Sequence, residues 1–231
     1  MKQDKRVPFD IYEFVSRNNV TCFCSAPGIG KTTFLMNLMH FLSKKEKVSY
    51  ISLGSTRQEL QRITVFQETL GKDYKTANKW HIHRLRYAKY VIDLIDQIDR
   101  LLNSDFRPKI LIIDDLSSFP FLVQEDEEYT AVDLLEKITK SAMVFGCKIV
   151  FTVPIRFSKV NSPVIQFRHW RYMDGGIGSA DLSDAVIFLD RQGYYGDTQN
   201  RSLLHGQIAQ AGDSHQVHQI FDLPLPLVIQ G

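Results

Sequence analysis

Short continuous apolar runs alternate with segments of helical period through most of this chain, and that alternation constrains the fold more than any other feature of the sequence. "VTCFCSA", "KVSYISL", "KILIIDD" and "CKIVFTV" read as strands buried on both faces. Lys31 to Ser43, Arg57 to Leu70 and "YVIDLIDQIDRLLN" read as helices. In the last of these Val91, Leu94, Ile95, Ile98, Leu101 and Leu102 share one face, and Leu134, Leu135, Ile138, Ala142 and Phe145 repeat the spacing before "CKIVFTV". Strands without polar alternation, separated by amphipathic helices, are the pattern of a parallel sheet covered on both sides. The rhythm then changes. "DAVIFLD", "SLLHGQIAQ" and "HQVHQIFDL" follow one another with only turn material such as "GYYGD" and "AGDS" between them, so the parallel core is expected to finish in antiparallel edge strands. The 231 residues contain no internal repeat, low-complexity tract or linker, and are expected to form one α/β domain over 1–231, with 1–19 as a short lead segment.

The first strand runs into "SAPGIGKTT", which matches GxxxxGK[ST] everywhere except the first glycine, where Ser25 stands. The loop supplies Ser25, Ala26, Pro27, Gly28, Ile29, Gly30, Lys31, Thr32 and Thr33. Gly28 and Gly30 let the backbone turn its amides toward phosphate oxygens, Lys31 can reach the terminal phosphates, and the Thr32 hydroxyl can serve magnesium. The following helix points its positive end at the same anion. An ordinary strand-to-helix turn needs glycine but not the adjacent Gly-Lys-Thr. A nucleotide with Mg²⁺ is therefore the expected ligand. Magnesium also needs a carboxylate at the end of a neighbouring strand, and "ILIIDDL" offers Asp114, with Asp115 beside it. The other reading of that pair is helix capping.

A formal charge of +2 excludes a bulk electrostatic argument for nucleic acid, so such binding has to come from local patches. The three cysteines, Cys22, Cys24 and Cys147, have no metal-ligand company and read as apolar core residues in a reducing cytoplasm. No apolar run is long enough for a signal peptide or a membrane span, and the expectation is a cytoplasmic protein without a membrane partner. "HIH" at His81 and His83, and the pair His215 and His218, read better as partly buried strand residues than as metal ligands.

The order "SAPGIGKTTFLMNLMHFLSKKEKVSYISLGSTRQELQRI", then "KILIIDDLSSF", then "DLSDAVIFLDRQGYY" resembles the RecA-like ATPase domain of the DnaB-type replicative helicases, from about Val20 onward. The resemblance implies a single RecA-like domain without that family's N-terminal domain. It implies an ATP- and Mg²⁺-binding role in DNA replication or DNA metabolism, with single-stranded DNA or a replication or recombination protein as partner, and it leaves a homo-oligomer open. It also places Arg191 and Tyr194, in "DRQGYY", near the nucleotide base. Tyr194 or Tyr195 then either stacks on adenine or covers the sheet edge.

Three departures from the family bear on catalysis. The strand that there ends in Ser-Leu-Glu ends here in Ser52, Leu53 and Gly54, so the glutamate that activates water is absent. The glutamine that senses the terminal phosphate falls near Val153 or Pro154. The lysine and arginine that a neighbouring subunit inserts as a finger fall in the segment Gln207 to Gln219, and no Lys or Arg occurs after Arg201. In other P-loop ATPases an acidic residue directly after the metal aspartate orients the water, which makes Lys31 and Asp115 the catalytic candidates. Hydrolysis is expected to be weak or absent and the role accessory or regulatory. A working motor and an assembly module with structural nucleotide are the alternatives.

In that family the loops after the magnesium strand and after the sensor strand touch DNA. The first carries the acidic run Glu125 to Glu128, which repels phosphate. The second carries Arg168, Trp170 and Arg171 among further basic and aromatic residues, a composition that suits single-stranded nucleic acid, an acidic partner or a packed surface loop alike.

Overall fold

The computed structural model describes residues 9–26, 28–53, 80–84, 91–114, 131–155, 181–190, 203–210 and 217–224. Its elements are α1 (Ile11–Arg17), β1 (Val20–Ser25), α2 (Lys31–Ser43), β2 (Val48–Ser52), β3 (Trp80–Arg84), α3 (Val91–Leu102), β4 (Ile110–Asp114), α4 (Ala131–Val144), β5 (Lys148–Pro154), β6 (Ala185–Asp190), β7 (Leu203–Gln210) and β8 (Val217–Pro224). The eight described strands form one sheet in the order β3-β2-β4-β5-β1-β6-β7-β8. From β3 to β6 every pairing is parallel, and β6-β7 and β7-β8 are antiparallel. The mainly parallel core with an antiparallel edge is the architecture the sequence pattern predicts.

Both faces of the core strands are apolar because both are covered. On one face Cys22, Cys24, Leu111, Ile113, Ile149, Phe151 and Val153 pack with Leu94 and Ile98 of α3 and Leu134, Leu135 and Ile138 of α4. On the other Phe23, Val48, Tyr50, Ile110, Ile112 and Val150 pack with α1 and with Phe34, Leu35, Leu38, Met39 and Leu42 of α2. Successive residues of a strand face opposite sides, so odd positions of β4 and β5 belong to the α3/α4 layer and even positions to the α2 layer. That parity decides which side chains can reach the loop at the start of α2.

The ends of elements are fixed by specific contacts. Asp10 caps α1 by accepting from the Glu13 amide at 3.0 Å. The Asp184 carboxylate accepts the amides of Asn19 at 2.6 Å and Val20 at 3.0 Å, which ties the start of β1 to the segment entering β6. His81 lies on a strand, as expected of "HIH", but at the edge of the sheet it is exposed rather than partly buried, and its ring stacks on Phe106 with centroids 3.9 Å apart.

Candidate functional site

β1 ends at Ser25 between β5 and β6, and the chain turns directly into α2. The turn requires its glycines: Gly28 has φ +84° and Gly30 φ +100°, left-handed values that residues with a Cβ adopt only with strain. Gly30 is the N-cap of α2 and supplies no side-chain acceptor, so the first amides of the helix are left for another anion. The backbone closes with the Ile29 amide donating to the Ala26 carbonyl at 3.4 Å and Phe34 to Gly30 at 2.9 Å.

Ser25, which replaces the usual glycine, is fully buried. Its hydroxyl donates to the Ala26 carbonyl at 3.1 Å, while its own carbonyl accepts the Ile155 amide at 2.9 Å. The same carbonyl accepts from the Lys31 ammonium at 3.3 Å, so the lysine folds over the loop rather than extending into solvent. Ala26 and Ile29 are buried, Lys31 and Thr32 are half-buried, and Gly28 and Thr33 are exposed. A serine is accommodated at the first position because its side chain turns inward to a loop carbonyl.

Asp114 closes β4, separated from β1 by β5 alone, which places the two strand ends roughly 10 Å apart at ordinary strand spacing. By strand parity its side chain lies on the α2 face, and it is buried at 5 % exposure. Both carboxylate oxygens are engaged. Tyr50 on β2 donates its hydroxyl to Oδ2 at 2.7 Å, and Thr152 on β5 donates to Oδ1 at 2.9 Å. An ionised carboxylate has about four acceptor sites, so these bonds leave capacity for a further ligand. The Asp114 carbonyl accepts the Leu53 amide at 2.7 Å, which brings the end of β2 beside the same carboxylate.

The donor set fits magnesium bound chiefly by phosphate and water: one strand-end carboxylate, the Thr32 hydroxyl, and no cluster of three or more His, Cys, Asp or Glu among the described residues. The positions matched to the sensor glutamine offer no such donor. Val153 is buried in the α3/α4 layer and Pro154 ends β5. Toward its carboxyl end β5 sends the Thr152 hydroxyl to the α2 face. Pattern reading did not single out Thr152 or Tyr50; the available signal was a hydroxyl in an otherwise apolar strand, on the same parity as the strand-end aspartate. Pro27, Gly54, Asp115, the acidic run 125–128, Arg168, Trp170, Arg171, Arg191 and Tyr194 lie outside the described residues.

The fold has counterparts among solved structures. One solved ATPase domain superposes over 91 % of this chain and 82 % of its own, with TM-score 0.64 and 14 % identity. The fold is that of a RecA-like ATPase domain. A DnaB-like replicative helicase, described with its interactions with primase, aligns over 89 % of this chain with TM-score 0.63 and 15 % identity, and this chain spans 55 % of its length. The RecA-like domain also matches the KaiC-like protein PH0186 from Pyrococcus horikoshii OT3 over 89 % of both chains, with TM-score 0.58 and 17 % identity. The sequence matches no protein-family model and no curated protein, so the relation is carried by the fold.

Proposed function

We propose that this RecA-like domain binds ATP with magnesium on the loop from Ser25 to Thr33, turns it over slowly or not at all, and serves as an accessory or regulatory protein of DNA metabolism. The observation that carries the reading is the pairing of a glycine-dependent, uncapped loop at the end of β1 with a buried carboxylate on the same face at the end of β4. Lys31 would leave the Ser25 carbonyl for the terminal phosphates, the first amides of α2 would take the phosphate oxygens, and Thr32 and Asp114 would hold magnesium. Magnesium supplies charge neutralisation between the phosphates when bound.

Slow turnover is supported by the residues that water activation and phosphate sensing require. Gly54 has no group to accept a proton. Val153 is buried on the far side of the sheet, and Pro154 has no polar side chain. The segment Gln207 to Gln219 carries no Lys or Arg to act as a finger toward another subunit. The setting in DNA metabolism rests on the likeness to the DnaB-like replicative helicase.

The test is calorimetric binding of ATP with and without Mg²⁺, followed by turnover. Lys31→Ala should weaken binding about tenfold or more, through loss of a charge-assisted contact. Asp114→Asn should remove the magnesium-dependent part. Undiminished affinity in both variants would show that the site lies elsewhere. Basal turnover should be slow and should rise in Gly54→Glu; rapid hydrolysis by the unaltered protein contradicts the regulatory reading.

A further inference from the structure

We propose that Tyr50 and Thr152 are positioning residues for the Asp114 carboxylate, and that this pair of hydroxyls sets how tightly the nucleotide site takes up magnesium. The inference rests on the reading of Asp114 as the metal carboxylate. β4 has β2 on one side and β5 on the other, and each neighbour sends one hydroxyl to a different oxygen of the same side chain: Tyr50 to Oδ2 at 2.7 Å and Thr152 to Oδ1 at 2.9 Å. Both donors are fully buried, and Asp114 is 5 % exposed. A carboxylate held from both sides cannot turn about its last torsion without breaking a buried hydrogen bond, so its remaining lone pairs keep one direction.

Packing alone does not account for the arrangement. Tyr50 belongs to the buried cluster of the α2 layer with Phe34, Val48 and Ile112, where phenylalanine would bury the same ring with no polar atom to satisfy. Thr152 likewise occupies a position on the α2 face of β5 where valine would serve the core equally well. Two independent strands have each placed a hydroxyl where an apolar isostere fits, and both hydroxyls converge on one carboxylate. Groups that orient a metal ligand from outside the coordination sphere have this form, and their loss typically weakens metal binding about tenfold or more.

The experiment uses the full chain and a fluorescent ATP analogue, titrated with Mg²⁺ and, separately, in EDTA. Tyr50→Phe and Thr152→Val should each raise the Mg²⁺ concentration needed for half-maximal nucleotide binding about tenfold, and leave affinity in EDTA unchanged. Thr152→Ser, which keeps the hydroxyl, should restore the native Mg²⁺ midpoint. A purely structural role predicts equal loss with and without Mg²⁺, and that result overturns the inference, as does an unchanged midpoint in the Thr152→Val variant, whose shape is conserved. Failure of the unaltered protein to bind the nucleotide at all is a different outcome: it overturns the nucleotide site itself, and the positioning role with it.

Discussion

Cys147 shows how one side chain's surroundings become a measurable property of the fold. It sits at the end of the turn after α4, 3 % exposed, where burial pushes its thiol from 9.0 up to about 12 against the opposing pull of the Lys109 ammonium and a backbone hydrogen bond. Below about pH 9 the thiol is protonated in both folded and unfolded chains and contributes no pH dependence. Above it the unfolded thiol ionises while the folded one does not, so the unfolded chain binds fewer protons and stability falls as pH rises toward about 12. The loss approaches about 1.4 kcal/mol per pH unit. Urea unfolding at pH 8 and pH 10 should therefore show a drop larger in the native protein than in Cys147→Ala by about 1.4 kcal/mol. Equal drops in the two proteins would mean that the thiol is accessible to water in the folded state.

At the scale of the element, α2 joins the candidate site to the core. Its first residues carry Lys31 and Thr32, and Phe34, Leu35, Leu38, Met39 and Leu42 are all 0 % exposed against the sheet. With no side chain capping its start, the helix is held by that buried face rather than by its end. Leu38→Ala should cost about 2 to 5 kcal/mol of stability through lost burial and the cavity left behind. Chemical denaturation measures this directly. ATP affinity of the fraction still folded should change little, because Leu38 lies two turns beyond Lys31. A loss of affinity as large as that of Lys31→Ala would show that the loop and the helix core are not separable.

For the molecule as a whole, the parallel strands deliver their carboxyl ends to one edge of the sheet, which is where α/β folds build ligand sites. The described helices and strands provide that edge, and the segment Gln207 to Gln219 carries no Lys or Arg to act on a second copy. We therefore expect no unwinding of a forked duplex by the purified protein with ATP. Single-stranded DNA binding should be weak, sequence-independent and salt-sensitive, and Arg168→Ala and Trp170→Ala should reduce it, with stacking worth ~1 to 3 kcal/mol per base. Fluorescence anisotropy at two salt concentrations measures the binding, and a strand-displacement assay checks the rest. Efficient strand separation would establish a motor.

Periodicity and motif spacing are local properties, and what they encode was legible in the sequence. Lys31 to Ser43 is helical over the expected span, the apolar runs at 110–114 and 148–154 are strands, and the alternation of strand and helix by itself implies a parallel sheet. "GIGKTT" likewise announced its turn, because only glycine takes the left-handed angles of Gly28 and Gly30 without strain. The short, mostly polar β3 was far less legible, and the exposure of His81 depends on β3 lying at the sheet's edge. Tertiary structure alone decided which hydroxyls meet Asp114. Tyr50 is 64 residues away in sequence and Thr152 is 38, and they become neighbours because β2 and β5 flank β4. Strand order is set by which buried faces and crossovers close the whole sheet, and no local window of sequence contains that information.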